Sequence, residues 1–169
     1  MININIVFLD VDGILNSMNY FMSLGKGKRN GHQEIDETKL PLLKEIVEQT
    51  GSYIVLSSTW RQLDETEHEE CTTMYKYLTD RLAKYDLKIM SKTPVIHMNR
   101  PLEIKTWLDK RVDKDQIRFI SLDDDWDYES YEDYGIGNCL VKTTFYGDRA
   151  GLQPEHVKQV IEILNRKDD

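Results

Sequence analysis

The sequence predicts an α/β fold, a doubly wound parallel sheet with helices on both faces. Short continuous apolar runs, IVFL at 6–9, YIVL at 53–56 and IRFISL at 117–122, have the composition of strands buried on both faces. They alternate with longer segments whose apolar residues recur at helical spacing, the arrangement of repeated β–α units. The 169 residues, 40% of them hydrophobic, suffice for one packed core, and no shift in composition marks a second. A single domain over 1–169 is therefore expected.

Taken in order, residues 4–9 form the first strand by their β-branched and aromatic content. The segment 36–51, DETKLPLLKEIVEQTG, carries a helical apolar stripe and stops at Gly51. YIVLS at 53–57 is the next strand. From 64 to 85 a polar stretch with Met74, Tyr75, Leu78 and Leu82 at spacings of three and four reads as a helix, and LKIMSKT after it as a short strand. In RPLEIKTWLDKRV, 100–112, Leu102, Trp107 and Leu108 make an apolar side and Pro101 sits near the helix start. IRFISL and then CLVKTT, 139–144, supply two further strands, and QPEHVKQVIEILN a last amphipathic helix.

A formal charge of −8 opposes broad binding to polyanions or anionic membranes. One local basic stretch, GKGKRNGH at 25–32 with Lys26, Lys28 and Arg29, reads as a solvated loop. Cys71 and Cys139 lack zinc-ligand spacing and do not make a disulfide framework. The opening residues have no basic segment and cleavage site, and their apolar run ends at Asp10, so a cytoplasmic protein without a membrane partner is expected.

In doubly wound sheets ligands bind beyond the carboxyl ends of the strands, so the residues that follow each strand are the candidates. The first strand delivers Asp10, Val11, Asp12 and Gly13, the second Ser57, Ser58 and Thr59, and a later one Asp123, Asp124, Asp125 and Asp127. Arg100 opens the intervening helix and Lys105 follows in it. Any one acid after a strand is accounted for by a cap or a turn; the four groups together are not.

The order DxDG, a strand ending in Ser, a basic residue opening a helix, then a strand ending in Asp-Asp resembles the haloacid dehalogenase (HAD) superfamily over residues 6–127. More narrowly, VLSSTWR, RPLEIKTWL, ISLDDDWD and TTFYGDRAGL are similar to the small HAD domains associated with RNA-repair proteins. The resemblance implies a Rossmann-like, HAD-type sheet and a phosphoric monoester hydrolase working through an aspartyl-phosphate. Asp10 would be the nucleophile and Asp12 the proton carrier. DxD spacing puts both carboxylates on one side while Val11 turns to the core. Gly13 would turn the chain beside the phosphate, and Ser57, Ser58 and a basic residue would bind it. That basic residue is Arg100, where the family usually has lysine, with Lys105 as the alternative. Mg²⁺ would be held by Asp10, the Asp12 backbone carbonyl and Asp124, with Asp123 or Asp127 in support; the close run of acids leaves the ligand among the three open.

The segments 17–36 and 59–100 are too short for a full cap domain, so the site is expected to be open, with minimal or no cap. An open site suits bulky phosphate carriers such as nucleotides or nucleic-acid ends. Two other functions use the same parts, a catalytically silent HAD-fold binding module and a receiver-like phospho-acceptor domain; in the latter the acidic pair comes first, the reverse of the order here. His32, His68, His97 and His156 lack metal-ligand spacing. Trp60, Trp107 and Trp126 read as packing residues, and DWDYESYEDY as an ordered surface loop.

Overall fold

The apolar run after Asn5 is buried from Ile6 to Leu9 because it is the middle strand of a sheet covered on both sides. The computed structural model describes residues 3–25 and 33–166; the basic stretch with Lys26, Lys28 and Arg29 therefore lies outside the described residues. The strands are β1 (Ile4–Leu9), β2 (Tyr53–Leu56), β3 (Ile89–Lys92), β4 (Ile117–Asp123) and β5 (Leu140–Lys142), paired in the order β3-β2-β1-β4-β5 with every neighbour parallel. The helices are α1 (Met18–Ser23), α2 (Leu40–Thr50), α3 (Glu69–Ala83), α4 (Arg100–Asp109), α5 (Tyr128–Glu132) and α6 (Pro154–Leu164).

Alternation along the strands builds two cores. Val7, Leu9, Ile54, Leu56, Leu122 and Val141 face α2, α3 and α6, whose Leu43, Ile46, Leu78, Val157 and Val160 close that side. Ile6, Phe8 and Val55 face α4 and α5 through Ile104, Trp107 and Tyr131, with Phe8 edge-on to Trp107 at 5.4 Å between centroids. The chain runs outward from β1 to β3, then crosses to the other side of β1 for β4 and β5. The carboxyl ends of β1 and β4 thus flank the switch in strand order.

Helix α2 opens with a short 3₁₀ turn at Glu37–Lys39 and closes at Gly51, whose φ of 61° lets its N–H return to the Val47 carbonyl at 2.8 Å. Three sequence expectations shift. Helix α3 starts at Glu69 rather than 64, with Glu69 and Glu70 in its first turn, where acids suit the helix dipole. Helix α4 stops at Asp109 rather than 112, the Lys110 N–H closing back on the last turn. The Tyr-rich stretch after Asp127 is the short helix α5, not a surface loop, and its Tyr131 is fully buried. Like α1, this helix is too short for periodicity to reveal. Between β2 and α4 the chain is spent on α3 and β3, both part of the sheet and its cover. Among the described residues no helix is long and apolar enough to cross a membrane.

Candidate active site

The hydrogen-bond ladder runs one residue past the strands. The backbone N–H of Asp10 donates to Leu122 O (3.1 Å), that of Ser57 to Leu9 O (2.8 Å), that of Thr93 to Leu56 O (3.0 Å) and that of Thr143 to Asp123 O (3.0 Å). Leu9, Leu56 and Leu122 point into the α2–α6 core, so alternation turns the following residues, Asp10, Ser57 and Asp123, toward α4. Val11 returns to the core.

Arg100 meets these carboxylates from the start of α4. Asn99 caps that helix, its side chain accepting from the Leu102 N–H at 3.1 Å, and this fixes where the first helical residue points. The Arg100 Nη1 donates to Asp123 Oδ2 at 2.8 Å and forms an ion pair with Asp10 Oδ2 at 3.1 Å. Burial disfavours the guanidinium charge, but Asp10 and Asp123 outweigh it and hold Arg100 above its ordinary value. Asp123 also accepts from the backbone N–H of Asp125 (2.9 Å) and Trp126 (3.2 Å) and from the Tyr131 hydroxyl at 3.4 Å. Lys105 pairs instead with Asp109 on the exposed side of α4.

One oxygen from each of Asp10, Asp123 and Asp124 lies within 4.8 Å of the others. Burial pushes the Asp10 carboxyl up to about 7, Arg100 lowering it and the charge of Asp123 raising it. Burial, then Asp123, raises Asp124 to about 6. Carboxylates crowded this far above their usual range form a site short of positive charge. An all-oxygen donor set of this kind fits Mg²⁺. Asp127 stands apart, exposed at the start of α5, where its carboxylate accepts from Ser130 N–H at 2.9 Å and Ser130 Oγ at 2.6 Å.

Asp12 is clamped by two donors, Asn16 Nδ2 at 2.7 Å on one oxygen and Trp60 Nε1 at 3.1 Å on the other. Asn16 is itself buried, accepting from Gly13 N–H at 3.0 Å and donating to Glu34 O at 3.0 Å. Trp60 is a packing residue and also the one that orients Asp12. Gly13, at φ 75°, leaves Asp124 against its Cα, and its carbonyl accepts from Thr143 Oγ1 at 2.6 Å. A Cβ there would stand 2.2 Å from Asp124 Cγ. Gly13→Ala is expected to displace Asp124 and to cost about 1–3 kcal/mol through the left-handed backbone and the clash, read as a lower denaturant midpoint.

The Ser57 hydroxyl is fully buried, and no group among the described residues bonds it. Orphaned buried hydroxyls are rare and require an explanation. Ser58 is spent locally, its Oγ accepting from Trp60 N–H at 3.3 Å to start the turn at Thr59–Gln62. Sequence reasoning passed over Asn16, Tyr131 and Thr143 and gave Trp60 no polar role. The only signal for Asn16 was an amide four residues after Asp12 inside an otherwise apolar run.

The structure thus brings Asp10, Asp12, Gly13, Ser57, Arg100, Asp123 and Asp124 together at the ends of β1, β2 and β4, and leaves Lys105 and Asp127 outside. No curated protein matches the chain. Residues 6–157 match the family model described as the HAD domain in Swiss Army Knife RNA repair proteins. With that match covering most of its length and the five-stranded parallel sheet beneath the four acidic, hydroxyl and basic groups, the chain belongs to this family of the HAD superfamily of hydrolases.

Proposed function

We propose that the chain is a single catalytic domain that hydrolyses phosphomonoesters with Mg²⁺, through an aspartyl-phosphate on Asp10, and that its substrates are nucleotides or nucleic-acid ends. The observation that carries this reading is the Asp10–Arg100–Asp123 contact beside the unpartnered Ser57 hydroxyl. It combines a carboxylate, a fixed cation and a free donor at one strand switch.

A carboxylate oxygen of Asp10 attacks phosphorus and the ester P–O bond breaks, its electron pair leaving with the alcohol oxygen. Asp12 gives that oxygen a proton. The same carboxylate then takes a proton from water, which attacks the acyl-phosphate phosphorus, releasing phosphate and restoring Asp10. Arg100 and Ser57 donate to the phosphoryl oxygens as charge builds on them. Asp10, Asp124 and the Asp12 carbonyl would hold Mg²⁺, which supplies charge neutralisation between the phosphate and the carboxylates. Asp123, occupied by Arg100, two backbone N–H groups and Tyr131, keeps the arginine in place.

Two features support a nucleic-acid substrate. The family description names RNA repair, and the rim carries aromatic surface. Tyr146 is 69% exposed, edge-on to Phe145 at 5.1 Å, and Phe145 lies 6.2 Å from Phe21. The Met18 N–H donates to Phe145 O at 2.9 Å, which ties this patch to the segment that follows Asp12. An exposed ring backed by two half-buried ones beside a phosphate site suits unstacked bases.

The test is phosphate release from nucleotides, sugar phosphates, phosphopeptides and 5′- or 3′-phosphorylated oligonucleotides, with and without Mg²⁺. Metal-dependent release, greatest with the nucleic-acid substrates, is the expected result; absence of release from every substrate overturns the reading. Ser57→Ala adds a separate check. Removing an unsatisfied buried hydroxyl leaves stability unchanged or slightly higher, while release falls about 10²–10³-fold for the lost phosphoryl donor.

A further inference from the structure

Beneath the phosphate-facing groups lies a second charged pair that the chemistry above does not use. Arg61 and Glu103 are 2% and 1% exposed, and Arg61 Nη2 donates to Glu103 Oε2 at 2.7 Å. Each also holds backbone. Arg61 Nη1 donates to Ser58 O at 2.6 Å and Nη2 to Pro94 O at 3.4 Å; Glu103 Oε1 accepts from the Ile96 N–H at 2.8 Å. The pair therefore joins the turn after β2, the segment after β3 and the first turn of α4. The first of these begins beside Ser57, and the last presents Arg100.

A buried ion pair is a poor way to gain stability, because desolvation offsets its attraction and apolar residues of similar volume do as well or better. The Arg61 guanidinium is close enough to Arg100 and Asp10 to interact with both charges, and its Nε has no partner among the described residues. A fold selected for packing alone would place leucine and methionine here. What apolar residues cannot do is fix three backbone segments in one register through directional bonds.

We infer that Arg61 and Glu103 are positioning residues, a buried brace that sets the Arg100 guanidinium and the Ser57 hydroxyl in register with Asp10. The inference rests on the phosphatase reading for its kinetic arm and on geometry alone for its spectroscopic arm. Glu103 is tied to the reacting groups through the helical turn that presents Arg100, and Arg61 through the turn that follows Ser57 and through its charge. Their loss therefore acts on orientation, where a displacement of about 1 Å costs on the order of 10²-fold in rate.

The experiment compares the native chain with Arg61→Met/Glu103→Leu, which removes both charges together, and with Glu103→Gln, which keeps the shape. Three readouts are taken: thermal midpoint, kcat and KM for a small phosphomonoester with Mg²⁺, and the ¹⁵N–¹H signals of the Arg100 guanidinium in metal-free protein. The double variant strands the Ile96 N–H and the Pro94 carbonyl, so its midpoint is expected to fall; below that midpoint, in the folded variant, kcat falls about 10–100-fold and the Arg100 signals, held apart in the native protein by two carboxylates, collapse toward averaged positions. Glu103→Gln keeps the shape but leaves the buried Arg61 charge unpaired, so its midpoint should also fall; read below that midpoint, its kcat and Arg100 signals should shift in the same direction, and it carries the comparison if the double variant unfolds. A folded variant with kcat within twofold of native and unchanged Arg100 signals overturns the inference. Absence of turnover in the native chain refutes the phosphatase reading instead, and the Arg100 signals then decide on the brace.

Discussion

Asp10→Asn is expected to abolish phosphate release, by about four orders of magnitude or more, the scale seen when a covalent catalyst loses its nucleophile. The amide is nearly the same size but offers no anionic oxygen to phosphorus and cannot carry the acyl-phosphate. The surroundings make this a test of chemistry rather than of folding. Asp10 is 6% exposed, one oxygen accepting from Val11 N–H at 2.8 Å and the other facing Arg100; asparagine retains an acceptor for one of them. Arg100 keeps its 2.8 Å contact with Asp123, so no cation is stranded. Steady-state phosphate release and intact mass measure the two halves of the claim. The native chain trapped in mid-turnover should gain the mass of one phosphoryl group, and the variant should not. A variant that turns over at more than a hundredth of the native rate would show that Asp10 is not the nucleophile.

The fold was legible because its strands are continuous apolar runs and its long helices have stripes. Asp10, Ser57, Arg100 and Asp124 were legible as a set because strand ends in such a sheet converge whatever the helices between them do. The assignment among neighbours was not. Arg100 and Lys105 share a helix but stand about 140° apart around it, and the cap at Asn99 sets the rotation that turns Arg100 to the carboxylates and leaves Lys105 to Asp109. Asp123 and Asp127 differ only in where the chain turns after β4, which leaves Asp127 to cap α5. The clamp on Asp12 joins residues 12 and 60, and the brace under Arg100 joins 61 and 103. Contacts of that separation leave no periodicity. A tryptophan and an arginine after a strand read as packing and solvated charge until the neighbouring elements are known.

The crowding of carboxylates also predicts how stability depends on pH and Mg²⁺. Asp10 stands at about 7 against an ordinary value of 3.8, and Asp124 at about 6, each raised first by burial. Between those limits the folded chain holds more protons than the unfolded one, so stability falls as pH rises. The contribution is whole below about pH 4 and is lost as pH passes 7. Without metal, raising pH from 5 to 8 is expected to cost about 2–4 kcal/mol, mostly from Asp10, with a smaller solvent-screened share from Asp124. That corresponds to a fall of roughly 5–15 °C in thermal midpoint. His156 works in the opposite sense. Burial lowers it, and its Nδ1 accepts from Gln153 N–H at 3.0 Å, so stability rises as pH climbs toward 6.5. Comparison with Asp10→Asn separates the two, because the variant keeps His156 and loses the buried acid. In the proposed site Mg²⁺ would require the same carboxylates ionised, so it would compete with protons and should raise the midpoint more at pH 8 than at pH 5. In Asp10→Asn most of the alkaline fall and most of the Mg²⁺ shift should disappear, the Asp124 share of the fall remaining. A metal-free native midpoint that stays level or rises from pH 5 to 8 would mean that burial does not raise the Asp10 carboxyl, and an equal Mg²⁺ shift in the variant would mean that Asp10 does not hold the cation.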